Sequence, residues 1–217
     1  YMGYLDRQDR DIDSFKKDIN TLKLFDLDHL SMYQLTIEPN TIFYKQQIKL
    51  PSDDEIYGME SLAHDLLKKL GIYQYEISSW SKKGFESSHN LNYWRYGDFI
   101  GVGPGAHSKI SSKKEINRGI KLKKLNSYIK NPRKTTINKI DSSNYNLDLA
   151  MNLFRIKDGF SYSQLKDCHF EILDSFKKDY KKGVDLGLLD IDKFKTTKKG
   201  FKFLNDVINL FDSSEKI

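Results

Sequence analysis

Two kinds of hydrophobic pattern alternate along the first eighty residues. Apolar side chains recur at helical spacing over residues 13–24 and 52–70, and the second helix has acids in its first turn and Gly71 after its last. A short β-prone run follows each helix, at residues 30–35 and 72–78. This order predicts a parallel α/β layer.

The middle of the chain follows a different pattern. Turn-forming residues dominate, with short strands predicted at residues 99–102 and 106–110. A polar, lysine-rich stretch over residues 111–141 follows. We expect it to be a connector that carries one helix, at residues 122–129.

The C-terminal part returns to helical spacing. Apolar residues, Met151 among them, share one face over residues 147–154, and a longer helix is predicted around residues 170–180. Two short strands within residues 186–197 and a last helix at residues 200–211 complete a winged-helix pattern. Acids and lysines alternate along the helix at 170–180, so we predict a structural or partner-binding module and no nucleic-acid partner.

Composition narrows the class of protein. The chain has 217 residues, a net charge of +6 and one cysteine, Cys168, which excludes an internal disulfide and a multi-cysteine metal site built from this chain alone. No apolar run reaches the roughly twenty residues that span a bilayer, so we expect a cytoplasmic protein without a membrane-spanning segment. The sequence starts at Tyr1 instead of methionine, which suggests a piece of a longer protein.

Candidate chemistry is densest in two neighbouring segments. Residues 89–94 read His-Asn-Leu-Asn-Tyr-Trp, and His89 is a candidate axial ligand to a heme iron; a hydrogen-bonded corner that pins a loop is the alternative. Gly101, Gly103 and Gly105 loosely match a dinucleotide fingerprint, but no convincing helix follows them. We therefore predict either a glycine-lined turn beside a ligand, with His107 at the same corner, or merely a tight strand crossing.

Two carboxylates also merit consideration. Glu38 and Glu76 follow or end predicted strands, where α/β sheets place their ligands. A surface salt bridge is the alternative explanation for each of them. His29, His64 and His169 lie in ordinary helical and strand patterns, and we predict no role for them.

Four segments, at residues 33–41, 75–78, 89–94 and 101–108, together resemble the HemW family of heme chaperones, which is the radical S-adenosylmethionine family related to oxygen-independent coproporphyrinogen III oxidase. The resemblance implies an α/β fold: later strands and helices of a partial (β/α) barrel in residues 1–115, a connector in 116–140 and a winged-helix-like α+β domain in 141–217. The chain would be the C-terminal part of such a protein.

The resemblance also implies cofactors and roles. The family's Cys-x3-Cys-x2-Cys motif for a [4Fe-4S] cluster and its glycine-rich S-adenosylmethionine motif do not occur in this sequence, so we expect the chain to be inactive alone. Heme would be bound by four residues of the middle segments: His89, Tyr93, Trp94 and His107. The implied cofactor-binding residues are Thr36, Glu38, Tyr75, Glu76, Gly101, Gly103 and Gly105.

The implied partners are heme or a porphyrin and heme-acceptor proteins, and the resemblance allows peripheral membrane association. Two other functions stay open. One is an oxygen-independent coproporphyrinogen III oxidase-like enzyme of porphyrin biosynthesis, and the other is a binding module without catalysis, which the missing cluster cysteines favour.

Overall fold

The computed structural model describes residues 2–4, 12–46, 48–112, 115–161, 163 and 174–213. The chain divides into two compact units, Tyr1–Ser87 and Ser88–Ile217. The domain boundaries expected at residues 115 and 140 stay predictions. Across the described residues, no helix combines the length and apolar character needed to cross a membrane.

The first unit contains the two helices and the two strands that its hydrophobic pattern predicts, together with a further short helix and two further short strands. Its elements are β1 (Met2–Tyr4), α1 (Ile12–Thr21), a 3-10 turn (Leu22–Leu24), β2 (His29–Gln34), α2 (Ile42–Gln46), α3 (Asp53–Lys68), β3 (Tyr73–Glu76) and β4 (Ser79–Ser81). Ser52 begins α3 through a capping box: its hydroxyl accepts from the Glu55 N–H while the Glu55 carboxylate accepts from the Ser52 N–H. This reciprocal pair fixes the start of the helix.

The sheet of this unit is mixed, with the strand order β1-β2-β4-β3. β1 and β2 pair in parallel, whereas β4 runs antiparallel to both β2 and β3. The expected all-parallel layer is therefore wrong beyond the first pair, because a two-residue turn after Glu76 folds β4 back as a hairpin between β2 and β3.

Helices α1 and α3 pack on one face of this sheet. Their buried side chains, among them Phe15 and Leu67, form one cluster with Leu30 and Met32 of β2 and Trp80 of β4. In β2, burial alternates with period two, so His29 and Ser31 lie on the opposite face. The sheet therefore has one apolar face under the helices and one face with polar side chains.

The second unit begins with α4 (Ser88–Trp94), followed by β5 (His107–Ser111), β6 (Ile116–Lys121), α5 (Leu125–Lys130) and β7 (Thr135–Lys139). The three strands form an antiparallel sheet in sequence order. The stretch expected to be a connector with one helix contains that helix, as α5, together with the two strands β6 and β7, which the sequence does not predict. Only Ile116 and Gly119 of β6 are buried and most of β7 is exposed, so these strands carry no hydrophobic run to reveal them.

The remaining described elements are a 3-10 turn (Ser142–Asn144), α6 (Tyr145–Leu153), α7 (Asp174–Asp185), α8 (Lys198–Lys202) and α9 (Leu204–Asn209). They surround an aromatic core in which Phe154 contacts Phe176 and Phe211. The N-terminal residues of the helix expected at 170–180, like Cys168 and His169, lie outside the described residues.

Several C-terminal details differ from expectation. Residues 99–102 form a single bridge, Phe99 to Lys109, and no strand. The expected hairpin is likewise reduced to isolated bridges, and the last helix breaks at Phe203. Met151, expected on the buried face, is 51% exposed because Leu149, Ala150 and Leu153 define that face.

Candidate functional site

The helix α4 presents an imidazole and an aromatic ring side by side. His89 and Tyr93 are four residues apart and share a helix face, where their ring centroids lie 4.8 Å apart at 85°. Tyr93 in turn meets Phe99 edge to face, with centroids 4.5 Å apart. His89 is exposed, and its ring nitrogens have no hydrogen-bond partner in the part of the chain that the structure describes. A free imidazole of this kind is available to a ligand.

Trp94 packs against Arg155 of the same unit. The guanidinium carbon of Arg155 lies 4.3 Å from the centre of the Trp94 ring system. The Trp94 Nε1–H is buried and has no acceptor among the described residues. The Tyr93 and Trp94 rings lie 6.5 Å apart and are tilted by 54°. Because Arg155 covers one face of the Trp94 ring, that face is closed to a ligand.

The glycine turn leads directly into a strand. A Cβ at Gly101 would overlap the backbone of His107, and the Gly101 N–H donates to Ser108 Oγ at 2.9 Å. Gly103 and Gly105 have positive φ angles of 116° and 69°. Because β5 begins at His107, no helix follows the turn, as expected from the sequence. The structure thus brings His107 against Gly101 through the backbone.

A fully buried lysine, not expected from the sequence, holds the segment between α4 and this turn. Lys109 is 2% exposed, and its ammonium donates to the Tyr96 carbonyl at 2.8 Å, to Asp98 Oδ1 at 3.0 Å and to Ser111 Oγ at 2.7 Å. Burial alone would raise the pKa of Asp98, but the Ser111 N–H and the Lys109 ammonium outweigh it and lower that pKa.

A second polar group anchors the same segment. Tyr96, at a positive φ of 63°, donates its hydroxyl proton to Asp148 of α6. Arg118 of β6 donates to both oxygens of Asp148, at 2.8 and 2.9 Å. Burial and the neighbouring Asp148 charge raise the pKa of Tyr96. The three residues of this network are distant in the sequence, so no local pattern predicts it.

In the first unit, Tyr75 and Glu76 end β3. The Tyr75 hydroxyl lies 2.9 Å from Nε2 of His29 and accepts from the Ser87 N–H at 3.3 Å. Burial lowers the pKa of His29, while the Glu76 charge opposes that shift. His29, for which no role was predicted, therefore contacts a candidate site residue.

Glu76 is 1% exposed, and its Oε2 has no hydrogen-bond donor among the described residues. A surface salt bridge is therefore the wrong explanation for this carboxylate. Thr36 and Glu38, by contrast, lie exposed in the loop between β2 and α2, where the Glu38 carbonyl accepts from the Thr41 hydroxyl. Within the described residues, no group of three or more histidines, cysteines or carboxylates is arranged to hold a metal ion.

Comparison with known proteins shows what the chain as a whole is similar to. No family model matches the chain. The chain is 39% identical over 191 residues to the heme chaperone HemW of Buchnera aphidicola subsp. Acyrthosiphon pisum, covering 84% of this chain and 50% of that protein. For HemW of Escherichia coli K12 the identity is 33% over 192 residues, covering 84% and 49%.

The fold is similar to that of a solved structure, Escherichia coli coproporphyrinogen III oxidase (HemN), described as a radical SAM enzyme. The TM-score is 0.70 over 98% of this chain and 54% of that one, at 16% identity. This likeness confirms the α/β fold class expected from the sequence. The chain spans about half the length of the curated relatives it matches. Over 84% of its own length, the chain is therefore similar to heme chaperones named HemW.

Proposed function

We propose that this chain is the heme-binding portion of a HemW-like heme chaperone, in which His89 is the axial ligand of the heme iron. The observation that carries the proposal is the exposed His89 imidazole seated edge-on against Tyr93, which in turn rests on Phe99. The names of the relatives, heme chaperone HemW, support the cargo. Delivery of that heme to acceptor proteins is part of the same proposal.

The chemistry of the imidazole fits this role. A neutral ring nitrogen with no competing hydrogen bond is a ligand for heme iron, and an exposed position admits a ligand as large as a porphyrin. The aromatic contact limits the rotation of the His89 ring, since Tyr93 closes one side of it. In the proposal, His107, beside Gly101, is the second heme contact, and the Tyr93 and Trp94 rings line the heme site.

The iron–sulfur cluster of radical SAM proteins does not fit this chain. Such a cluster needs three or four thiolates, and the sequence has one cysteine, Cys168. We therefore assign no step of radical chemistry to these residues. An oxidase-like activity would appear as decarboxylation of coproporphyrinogen III by the chain, and we expect none.

For S-adenosylmethionine, the proposal retains Tyr75 and Glu76 as contacts. The Glu76 carboxylate has a buried oxygen without a donor, which suits the positively charged amino or sulfonium group of that molecule. Thr36 and Glu38 are retained from the resemblance to the family alone. Binding of S-adenosylmethionine to an E76Q variant, followed by calorimetry, tests this contact.

Hemin titration tests the central proposal. We expect wild-type chain to give a shifted Soret band and H89A to lose it, while H107A weakens binding and keeps the spectrum of the ligated iron. Far-UV circular dichroism of each variant controls for folding. An unchanged Soret titration in H89A would falsify the ligand assignment. Failure of the wild-type chain to bind hemin would contradict the proposal that heme is its cargo.

A further inference from the structure

We propose that the turn at residues 101–105 and the adjoining lysines form the subsite for the carboxylate edge of the porphyrin. Lys123 and Lys124 pair with the two propionates, and Ile100 and Val102 contact the apolar edge of the macrocycle. The inference rests on the proposed function, because it extends the site of His89 to a second part of the same cargo.

The first argument is charge. Between residues 99 and 140 the sequence has eleven lysines and arginines and one acid, Glu115. That acid is already paired with Lys139 at 3.0 Å, and Lys109 is buried. Lysine faces are often merely solvated, but an excess of one sign over forty residues produces a positive surface that attracts anionic groups. A porphyrin with two propionates is such an anion.

The second argument is geometry, because the turn and the lysines are in contact. The Gly105 N–H donates to the Leu122 carbonyl at 2.9 Å, and a Cβ at Gly105 would lie 3.7 Å from Cγ of Lys123. The Gly103 N–H donates to the Tyr128 hydroxyl of α5 at 3.1 Å. Lys123 and Lys124 are exposed and, among the described residues, have no acidic partner. Their ammonium groups are therefore available beside a fixed turn.

The third argument is the apolar surface next to this charge. Ile100 and Val102 are 77% and 82% exposed and lie two residues apart, so they place a small apolar surface beside the lysines. They directly follow Phe99, whose ring contacts the Tyr93 ring, and Tyr93 in turn contacts the His89 ring. A flat apolar ring with carboxylates at one edge matches this arrangement of an imidazole, exposed apolar side chains and lysines. An anionic lipid surface matches the charge as well, but it gives no reason for continuity with the imidazole.

The experiment compares two ligands that differ only in charge. Hemin carries free propionates, whereas its dimethyl ester lacks both carboxylates. We expect the K123Q/K124Q variant to bind hemin about three- to tenfold more weakly than wild type, the size expected for exposed ion pairs, and to bind the dimethyl ester equally well. K178Q/K181Q, which removes two exposed lysines from α7, is the matched control and should bind both as wild type does.

Each other outcome has a definite meaning. Unchanged hemin affinity in K123Q/K124Q, with loss in H89A, overturns this inference and leaves the proposed function standing. Equal weakening for hemin and its ester overturns it too, because the lysines then act through the fold. Failure of the wild type to bind hemin overturns both proposals. If K123Q/K124Q binds hemin normally but no longer binds vesicles of phosphatidylserine and phosphatidylcholine, the surface belongs to a lipid.

Discussion

The ammonium of Lys109 lies 2.8 Å from the carbonyl oxygen of Tyr96 and 4.0 Å from the centroid of the same residue's ring. One buried cation therefore satisfies a backbone acceptor and the face of an aromatic ring at once. Tyr96 stands two residues after α4, in the left-handed region at φ 63°. We infer that this pair sets the direction in which the chain leaves the helix that carries His89.

Replacement of Lys109 by methionine should destabilise the second unit by about 2 kcal/mol, because it removes the ammonium that donates to the Asp98 carboxylate and to the Tyr96 carbonyl. Urea unfolding measures the change. The K109M/D98N double variant should recover part of the loss, since the unpaired charge is gone. K139M, which breaks an exposed ion pair in the same sheet, is the control and should change stability by less than about 0.5 kcal/mol. A loss in K139M equal to that in K109M would contradict the assignment.

Acid should act on the same group. The hydrogen bonds from Ser111 and Lys109 lower the pKa of Asp98 from 3.8, against the opposing effect of burial. A carboxyl group with a lowered native pKa contributes stability above its unfolded value, and this contribution is lost as the pH falls from about 4 through the native pKa. We therefore expect the stability difference between wild type and D98N to be full at pH 7 and to shrink as the pH falls below about 4. A pH-independent difference would exclude Asp98 as its source.

Gly101 should tolerate no side chain. A Cβ there would overlap the carbonyl of His107, so G101A must shift either the turn or β5. We expect a loss of about 2 kcal/mol, typical of overpacking, together with weaker hemin binding. G105A is the matched control: its φ of 69° costs about 1 kcal/mol, but its Cβ meets only ordinary contacts near Lys123. Thermal unfolding distinguishes the two, and G101A as stable as G105A would show that the turn can adjust.

The sequence predicts the first unit better than the second, and the reason is burial. Helices α1 and α3 and strand β2 carry apolar residues at their own periods because one face of each packs on the shared core. Strands β6 and β7 lie in a largely exposed sheet, so they alternate no apolar residues and resemble a polar connector. Strand β4 is three residues long, too short for any periodic signal.

The candidate site likewise contains residues that the sequence predicts and one that it does not. His89 and Tyr93 were expected to act together, and their spacing on one helix turn places their rings in contact. Lys109 looks like any surface lysine in the sequence, because its burial depends on three acceptors supplied by Tyr96, Asp98 and Ser111. Contacts of that kind arise from tertiary packing and leave no local pattern.

The pair of His29 and Glu76 offers a test in the first unit. Burial lowers the pKa of His29 from 6.5, so the folded chain holds a neutral imidazole where the unfolded chain is protonated below about pH 6.5. Stability from this group is complete above that pH and is lost as the pH falls through the native pKa. Urea unfolding at pH 7 and pH 5, followed by Trp80 fluorescence in a W94F background, should show this decline in stability. In an H29Q variant most of the decline should disappear.

Glu76 determines how far that pKa falls. Its charge favours the imidazolium, so E76Q should lower the pKa of His29 further. Titration of the His29 ring protons by NMR, assigned with H29Q, measures the shift. Replacement of Ser87, whose backbone reaches the Tyr75 hydroxyl, by alanine retains that N–H and is the control with no shift expected. An unchanged or raised pKa of His29 in E76Q would contradict the assignment of this effect to the Glu76 charge.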